Sequence, residues 1–222
     1  MHSQGIEKVI LFGLIFMSGC NYNTFQHKAI LSENPYENQV QPQIHIINCD
    51  SIYPNKSYEI QVSQIDTGDL DYETNNYVLK VIDSNRCAIF TDSIFSANGE
   101  VYFEDFNNDN IKDLLVLFDY DVRSNASYTL YLVDTNQDKF TKIKNFEEIK
   151  NPVFNPEYNI IENVVASGRD WTSFYKIQND SIVDLGYIIY WGQDETENLK
   201  DPNEKYKEIL NLIGKEKINK KP

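Results

Sequence analysis

Val101-Tyr102-Phe103-Glu104-Asp105-Phe106-Asn107-Asn108-Asp109-Asn110-Ile111-Lys112-Asp113-Leu114-Leu115-Val116-Leu117-Phe118 is the stretch on which the fold turns. Two strand-like runs, Gly99–Glu104 and Leu114–Phe118, flank a turn made of Asp and Asn. β-Branched and aromatic residues in such runs suit a pleated, half-buried surface. Within the turn, side-chain oxygens fall at the first, third, fifth and ninth positions: Asp105, Asn107, Asp109 and Asp113. A hard cation such as calcium collects six to eight oxygens at ~2.3–2.6 Å, and alternate residues of a tight loop aim theirs inward. Those four residues are therefore candidate side-chain ligands for calcium, with Ile111 offering its carbonyl. Asn110 stands at the sixth position, where glycine is usual, but Asn tolerates the left-handed backbone. The twelfth position is Val116 rather than Glu, so the loop is not an EF-hand. Asp and Asn also cap turns with no ion present. Three carboxylates gathered without a cation would repel one another, which favours the ion.

Outward from this loop the same texture repeats. Short β-type runs recur at Ile44–Ile47, Tyr58–Val62, Tyr77–Ile82, Cys87–Thr91, Tyr128–Val133, Phe140–Ile143, Thr172–Ile177 and Ile182–Trp191, separated by Asn, Asp and Ser clusters. Fifteen Tyr and twelve Phe in 222 residues reinforce the preference for strand. Residues 77–85 align with 128–136 and, more loosely, with 171–179. Each copy is a strand, an Asp/Asn turn and a returning strand. Such a period suggests propeller blades, although hairpins in general demand the same turn residues. Near the C-terminus, Asp201-Pro202-Asn203-Glu204 carries the signature of a helix start. Tyr206, Ile209, Leu210 and Ile213 then share one face, and Gly214 supplies a stop. The expected class is all-β, with repeated antiparallel hairpins in a propeller-like arrangement and a short C-terminal helix.

At the other end, Lys8 precedes the apolar run Val9–Met17, which is too short to span a bilayer stably. Met17-Ser18-Gly19-Cys20 then resembles the bacterial lipobox, in which the cysteine is lipidated and becomes the new N-terminus. Cys20 is thus the expected lipidation site, and the bacterial cell envelope the expected compartment. Residues 20–42, rich in Asn, Gln and Glu, read as a tether. An oxidising envelope permits a bridge between Cys49 and Cys87, and the sequence leaves that question open.

The net charge of −14 argues against nucleic acid, whose phosphates require neutralising Lys and Arg. Nucleophilic catalysis finds little support: after removal of the signal and tether the domain retains His45 alone, and no zinc, phosphate-loop or nucleophile-elbow motif occurs. Arg169 and Trp171 stand before a strand, and both residue types serve as interface anchors. Trp171 suits a core position rather better. A binding protein rather than an enzyme is expected, and an acidic surface complements a basic partner.

These residues resemble two families. The Asp105–Asp113 loop followed by Leu114-Leu115-Val116 is similar to the calcium loops of FG-GAP and VCBS-type repeats. Residues 77–190 resemble bacterial envelope lipoproteins with a propeller-like β domain and a calcium-binding loop. The likeness runs through Phe106–Leu114, Tyr128–Lys139, Asn151-Pro152-Val153-Phe154-Asn155 and Phe174-Tyr175-Lys176. Those lipoproteins more often carry an aromatic residue and a glycine where Asn108 and Asn110 stand. Some look like immunity proteins that inhibit lysozyme-like cell-wall hydrolases. The resemblance implies a lipid-anchored calcium-binding protein whose partner is a protein, with a basic hydrolase as one example. A peptidoglycan- or glycan-binding module is the alternative. The expected organisation is a signal peptide over 1–19, the lipidated cysteine and tether over 20–42, a β domain over 43–195, and a helix with a basic tail over 196–222.

Overall fold

A computed structural model describes residues 44–65, 74–192 and 201–219. The signal peptide, Cys20, the tether and the segment 193–200 lie outside the described residues.

Among the described residues, twelve strands precede one α-helix. They are β1 (Ile44–Asn48), β2 (Glu59–Gln64), β3 (Tyr77–Ile82), β4 (Ala88–Ile94), β5 (Val101–Glu104), β6 (Asp113–Tyr120), β7 (Ala126–Asp134), β8 (Lys139–Lys142), β9 (Val153–Asn155), β10 (Ile160–Val165), β11 (Trp171–Gln178) and β12 (Ser181–Tyr190). The helix α1 spans Pro202–Asn219. The strands form three antiparallel sheets of four, β1–β4, β5–β8 and β9–β12, each in sequence order. Among the described residues the sheets do not close into a ring. The three aligned segments of the sequence repeat fall on β3, β7 and β11, the third strand of each sheet. No described helix is long and apolar enough to cross a membrane.

Apolar side chains from neighbouring sheets meet in two cores. Ile60, Val62, Leu79 and Val81 of the first sheet pack with Leu114, Val116, Tyr131 and Val133 of the second. On the second sheet's other face, Leu115 and Leu130 join Ile161, with Tyr175 and Ile182 beside them. Side chains alternate across a strand, so β6 feeds both cores and its run Leu114–Leu117 is buried throughout. That unbroken apolar run is what a strand covered on both faces requires.

The third core lies between the third sheet and α1. Ile209, Leu210 and Ile213 pack on Ile160, Phe174 and Ile189, with Tyr206 alongside, as the helical spacing predicts. Asp201 Oδ1 accepts the Asn203 N–H at 3.1 Å and caps the helix start. Gly214 is not the stop: α1 runs on to Asn219. A Cβ at Gly214 would lie 3.6 Å from the Tyr158 ring, an ordinary van der Waals distance, so packing does not demand glycine at this place in the helix.

Two strands, β9 and β10, have no counterpart in the runs predicted from sequence. β9 has only three residues, and Asn163 interrupts the apolar pattern of β10. Cys49 and Cys87 are not bridged. The Cys49 N–H donates to Tyr58 O, and the Cys87 carbonyl accepts from Asp83, so β2 and β3 stand between them. Three inter-strand spacings of ~4.8 Å far exceed the ~7 Å that a disulfide tolerates between Cα atoms.

Candidate metal centre

The β5–β6 loop is pegged at two points. Phe106, 1% exposed, enters the core between the second and third sheets and meets Phe146 edge-on at 5.3 Å. Ile111 packs on the core between the first and second sheets. Around these pegs, Asp105, Asn107 and Asp109 accept backbone N–H groups of the turn. Asp105 Oδ1 accepts from Asn107 at 3.1 Å and Asn108 at 2.6 Å, and its Oδ2 from Asn110 at 2.9 Å. Asn107 Oδ1 accepts the Asp109 N–H at 3.0 Å, and Asp109 Oδ1 accepts the Ile111 N–H at 2.7 Å. Asn108 and Asn110 adopt φ of 63° and 67°, the left-handed conformation that Asn tolerates.

Asp113 behaves differently from the other three. It is fully buried, and its carboxylate ties two elements together: Oδ2 accepts the Phe106 N–H at 2.8 Å and Oδ1 the Val133 N–H at 3.0 Å. Burial pushes its carboxyl up to about 7. The two amides oppose that shift, and the nearby charges of Asp109 and Asp105 add to it.

The donor set consists of hard oxygens alone, three of them carboxylates, which is calcium's preference. Each carboxylate oxygen carries two lone pairs and can accept an amide while ligating an ion. Among the described residues, the ion pairs join Lys56 to Asp138, Arg86 to Glu59 and Lys142 to Asp92, and none reaches this loop. Also among the described residues, no three acidic, histidine or cysteine side chains converge closely enough to hold a metal in this arrangement. Asp105, Asn107, Asp109 and the Ile111 carbonyl would hold an ion at the turn, with Asp113 behind them.

Arg169 and Trp171 lie apart from this loop, on the β10–β11 hairpin. The Arg169 guanidinium sits 4.9 Å above the Tyr190 ring, and Trp171 pairs with Tyr190 across the strands. Trp171 is half-buried, between the two roles its sequence context allowed. By contrast, Trp191 is structural: its Nε1–H donates to Thr172 Oγ1 at 2.8 Å and its ring packs near Tyr206.

Sequence reasoning missed the two asparagines that fix this hairpin. Buried Asn125 donates to Ala166 O at 2.9 Å and to Asp121 Oδ2 at 2.8 Å, while its Oδ1 accepts the Ala166 N–H at 2.8 Å. Asn151 donates to Asn125 Oδ1 at 2.8 Å and Val164 O at 2.9 Å, and accepts the Ala126 N–H. These bonds clamp the β6–β7 hairpin tip to the β10–β11 hairpin. The only local signal was Asn151-Pro152, which reads as a turn.

No family model matches the chain, and neither a curated protein nor a solved structure is similar enough to count as a match.

Proposed function

We propose that this chain is a lipid-anchored protein of the bacterial envelope whose calcium-stapled β domain binds another protein. Cys20 would carry the lipid, and the three successive four-stranded meanders would stand as propeller-like blades. The observation that carries the binding reading is the asparagine clamp. It presents Arg169, Tyr190 and Trp171 on hairpins held rigidly together, and rigid presentation lowers the ordering cost of binding. A chain of net charge −14 suits a basic partner, and inhibition of a lysozyme-like cell-wall hydrolase is the specific reading. Calcium would act structurally, holding the Asp105–Asp113 turn, and no catalysis is assigned.

The test is to immobilise residues 21–222 and capture envelope proteins in millimolar calcium. Specific recovery of a muramidase-like hydrolase, with loss of its activity on binding, supports the reading. Recovery of no protein, with retention of peptidoglycan instead, replaces it by the glycan-binding alternative. One observation favours that alternative: Tyr102 and Tyr120 are 42% and 44% exposed, with Tyr128 edge-on to Tyr102 at 5.6 Å. Tyrosine faces of this kind stack on sugars. Glycan retention abolished by Trp171→Ala, or by Tyr102→Ala with Tyr120→Ala, would support the alternative, whereas under the protein-binding reading no glycan is retained.

A further inference from the structure

The second sheet carries a corner of tyrosine rings at its β5 edge. Glu100, Tyr102 and Glu104 alternate along one face of that edge. The Leu117 N–H donates to Glu100 O at 2.9 Å, which extends the β5–β6 ladder as far as Glu100. Leu115 of β6 pairs with Tyr102, and Leu117 with Tyr128 of β7. Both leucines are buried, and they separate the two rings across the sheet. Tyr102 and Tyr128 stand at 88° with centroids 5.6 Å apart, so two π faces meet at a right angle. Tyr120 is exposed and lies near enough to both rings to help raise their phenols. The Glu100 bond is the main cause of that rise at Tyr102, and burial is the main cause at Tyr128.

Ring geometry and charge together select the ligand. The face of a tyrosine ring is negative and attracts a cation within ~6 Å of its centroid. Two faces at a right angle touch one compact cation at once, whereas a sugar ring lies flat on a single face. Tyr102 Oη–H donates to Glu100 Oε2 at 2.7 Å, which fixes the ring. That bond foremost, then Asn98 and the nearby His45, holds Glu100 below the usual carboxylate range. Among the described residues no ion pair uses Glu100 or Glu104, and Lys112 donates to Phe103 O at 3.5 Å. A primary ammonium needs acceptors for three N–H groups. Ring faces supply these poorly, and Glu100 already accepts from Tyr102. A quaternary ammonium has no N–H to satisfy, and its usual receptor is a group of aromatic faces.

We propose that Tyr102, Tyr120 and Tyr128, with Glu100 and Glu104 beside them, form a site for a quaternary ammonium group of the choline type. The site uses no residue of the calcium turn or of the Arg169–Trp171 hairpin, and it stands whether or not the protein-binding reading does. The test titrates the ¹⁵N-labelled full chain with choline, its uncharged carbon isostere, Nα-acetyl-lysine methylamide and N-acetylglucosamine, with sodium chloride as the blank. Saturable shifts of the Tyr102 and Tyr128 amides with choline, and not with the others, are expected. Tyr102→Leu should weaken choline binding about threefold, one exposed ring's worth, while Tyr102→Phe keeps the face and most of the affinity. Should Tyr102→Leu fail to fold, Tyr120→Leu reads the same loss at an exposed position. Phosphocholine binding as tightly as choline assigns a headgroup as the source, and its rejection by the carboxylates assigns a free ammonium; both support the site. Equal shifts from the uncharged isostere would reduce the corner to apolar contact and overturn the assignment. Equal binding of the lysine derivative, no shift at these amides, or undiminished affinity in the leucine variants would overturn it as well. A stronger response to N-acetylglucosamine would also overturn it, and would favour the glycan-binding alternative.

Discussion

Asp109 and Asp113 belong to one loop yet should respond differently to mutation. Asp109 is exposed and bonds only within the turn. We predict that Asp109→Ala lowers the melting temperature in calcium and leaves it unchanged in chelator. At ~100 times its dissociation constant the ion adds ~2.7 kcal/mol, and equal melting of the two proteins in calcium would remove the metal reading. Asp113→Ala should instead destabilise under both conditions, since it strands the buried N–H groups of Phe106 and Val133. A cost of ~2–4 kcal/mol is expected, measured by denaturant unfolding. The alternation of Asp105, Asn107 and Asp109 was legible because turn chemistry is local. The tie from Asp113 to Val133 was not, because it spans twenty residues and follows from sheet packing. Asn125 was hidden for the same reason, its partner Ala166 being 41 residues away. We expect Asn125→Ala to cost ~2–4 kcal/mol and to weaken partner capture by loosening Arg169 and Trp171. Unchanged stability would show that the clamp is dispensable.

At the scale of elements, Gly214 gives a prediction whose sign discriminates. A glycine acting as a helix stop adopts a left-handed backbone, and alanine there is destabilising. Here the helix continues to Asn219, and the added methyl would meet Tyr158 at an ordinary contact distance of 3.6 Å. Gly214→Ala should therefore stabilise by ~0.5–1 kcal/mol, raising the melting temperature by roughly 1–4 °C for a domain of this size. A fall in melting temperature would restore the stop. The sequence showed that a helix begins at Asp201 because capping is local, and which face it buries because 3.6-residue spacing is regular. It misplaced the end because glycine inside a helix only weakens it by about 1 kcal/mol, so a glycine alone does not end a helix whose packing continues beyond it. β10 escaped prediction on similar grounds. Buried Asn163 looks like a break, yet its side chain bonds Ser173 Oγ and the Lys150 N–H, which makes a polar residue acceptable inside a strand.

For the whole molecule, the order of layers decides where truncation harms. The second sheet is covered on both faces, and α1 covers the outer face of the third. The outer face of the first sheet leaves Ile44 and Ile46 54% and 62% exposed. The helix therefore belongs to the third core rather than lying on a finished surface, since Ile209, Leu210 and Ile213 are each 8% exposed or less. Deleting residues 201–222 would uncover Ile160, Phe174 and Ile189, which α1 now buries. At ~1.5–3 kcal/mol for each large apolar side chain buried, losing the helix removes several kcal/mol, comparable to a domain's whole stability. The truncated chain should bind a hydrophobic dye and unfold at lower denaturant, its third sheet losing amide-exchange protection first. The first core, two layers away, should lose protection last. Uniform loss of protection across all three sheets would mean that the layers fold as one unit, whereas unchanged protection would show that the helix is an appendage free to serve another role.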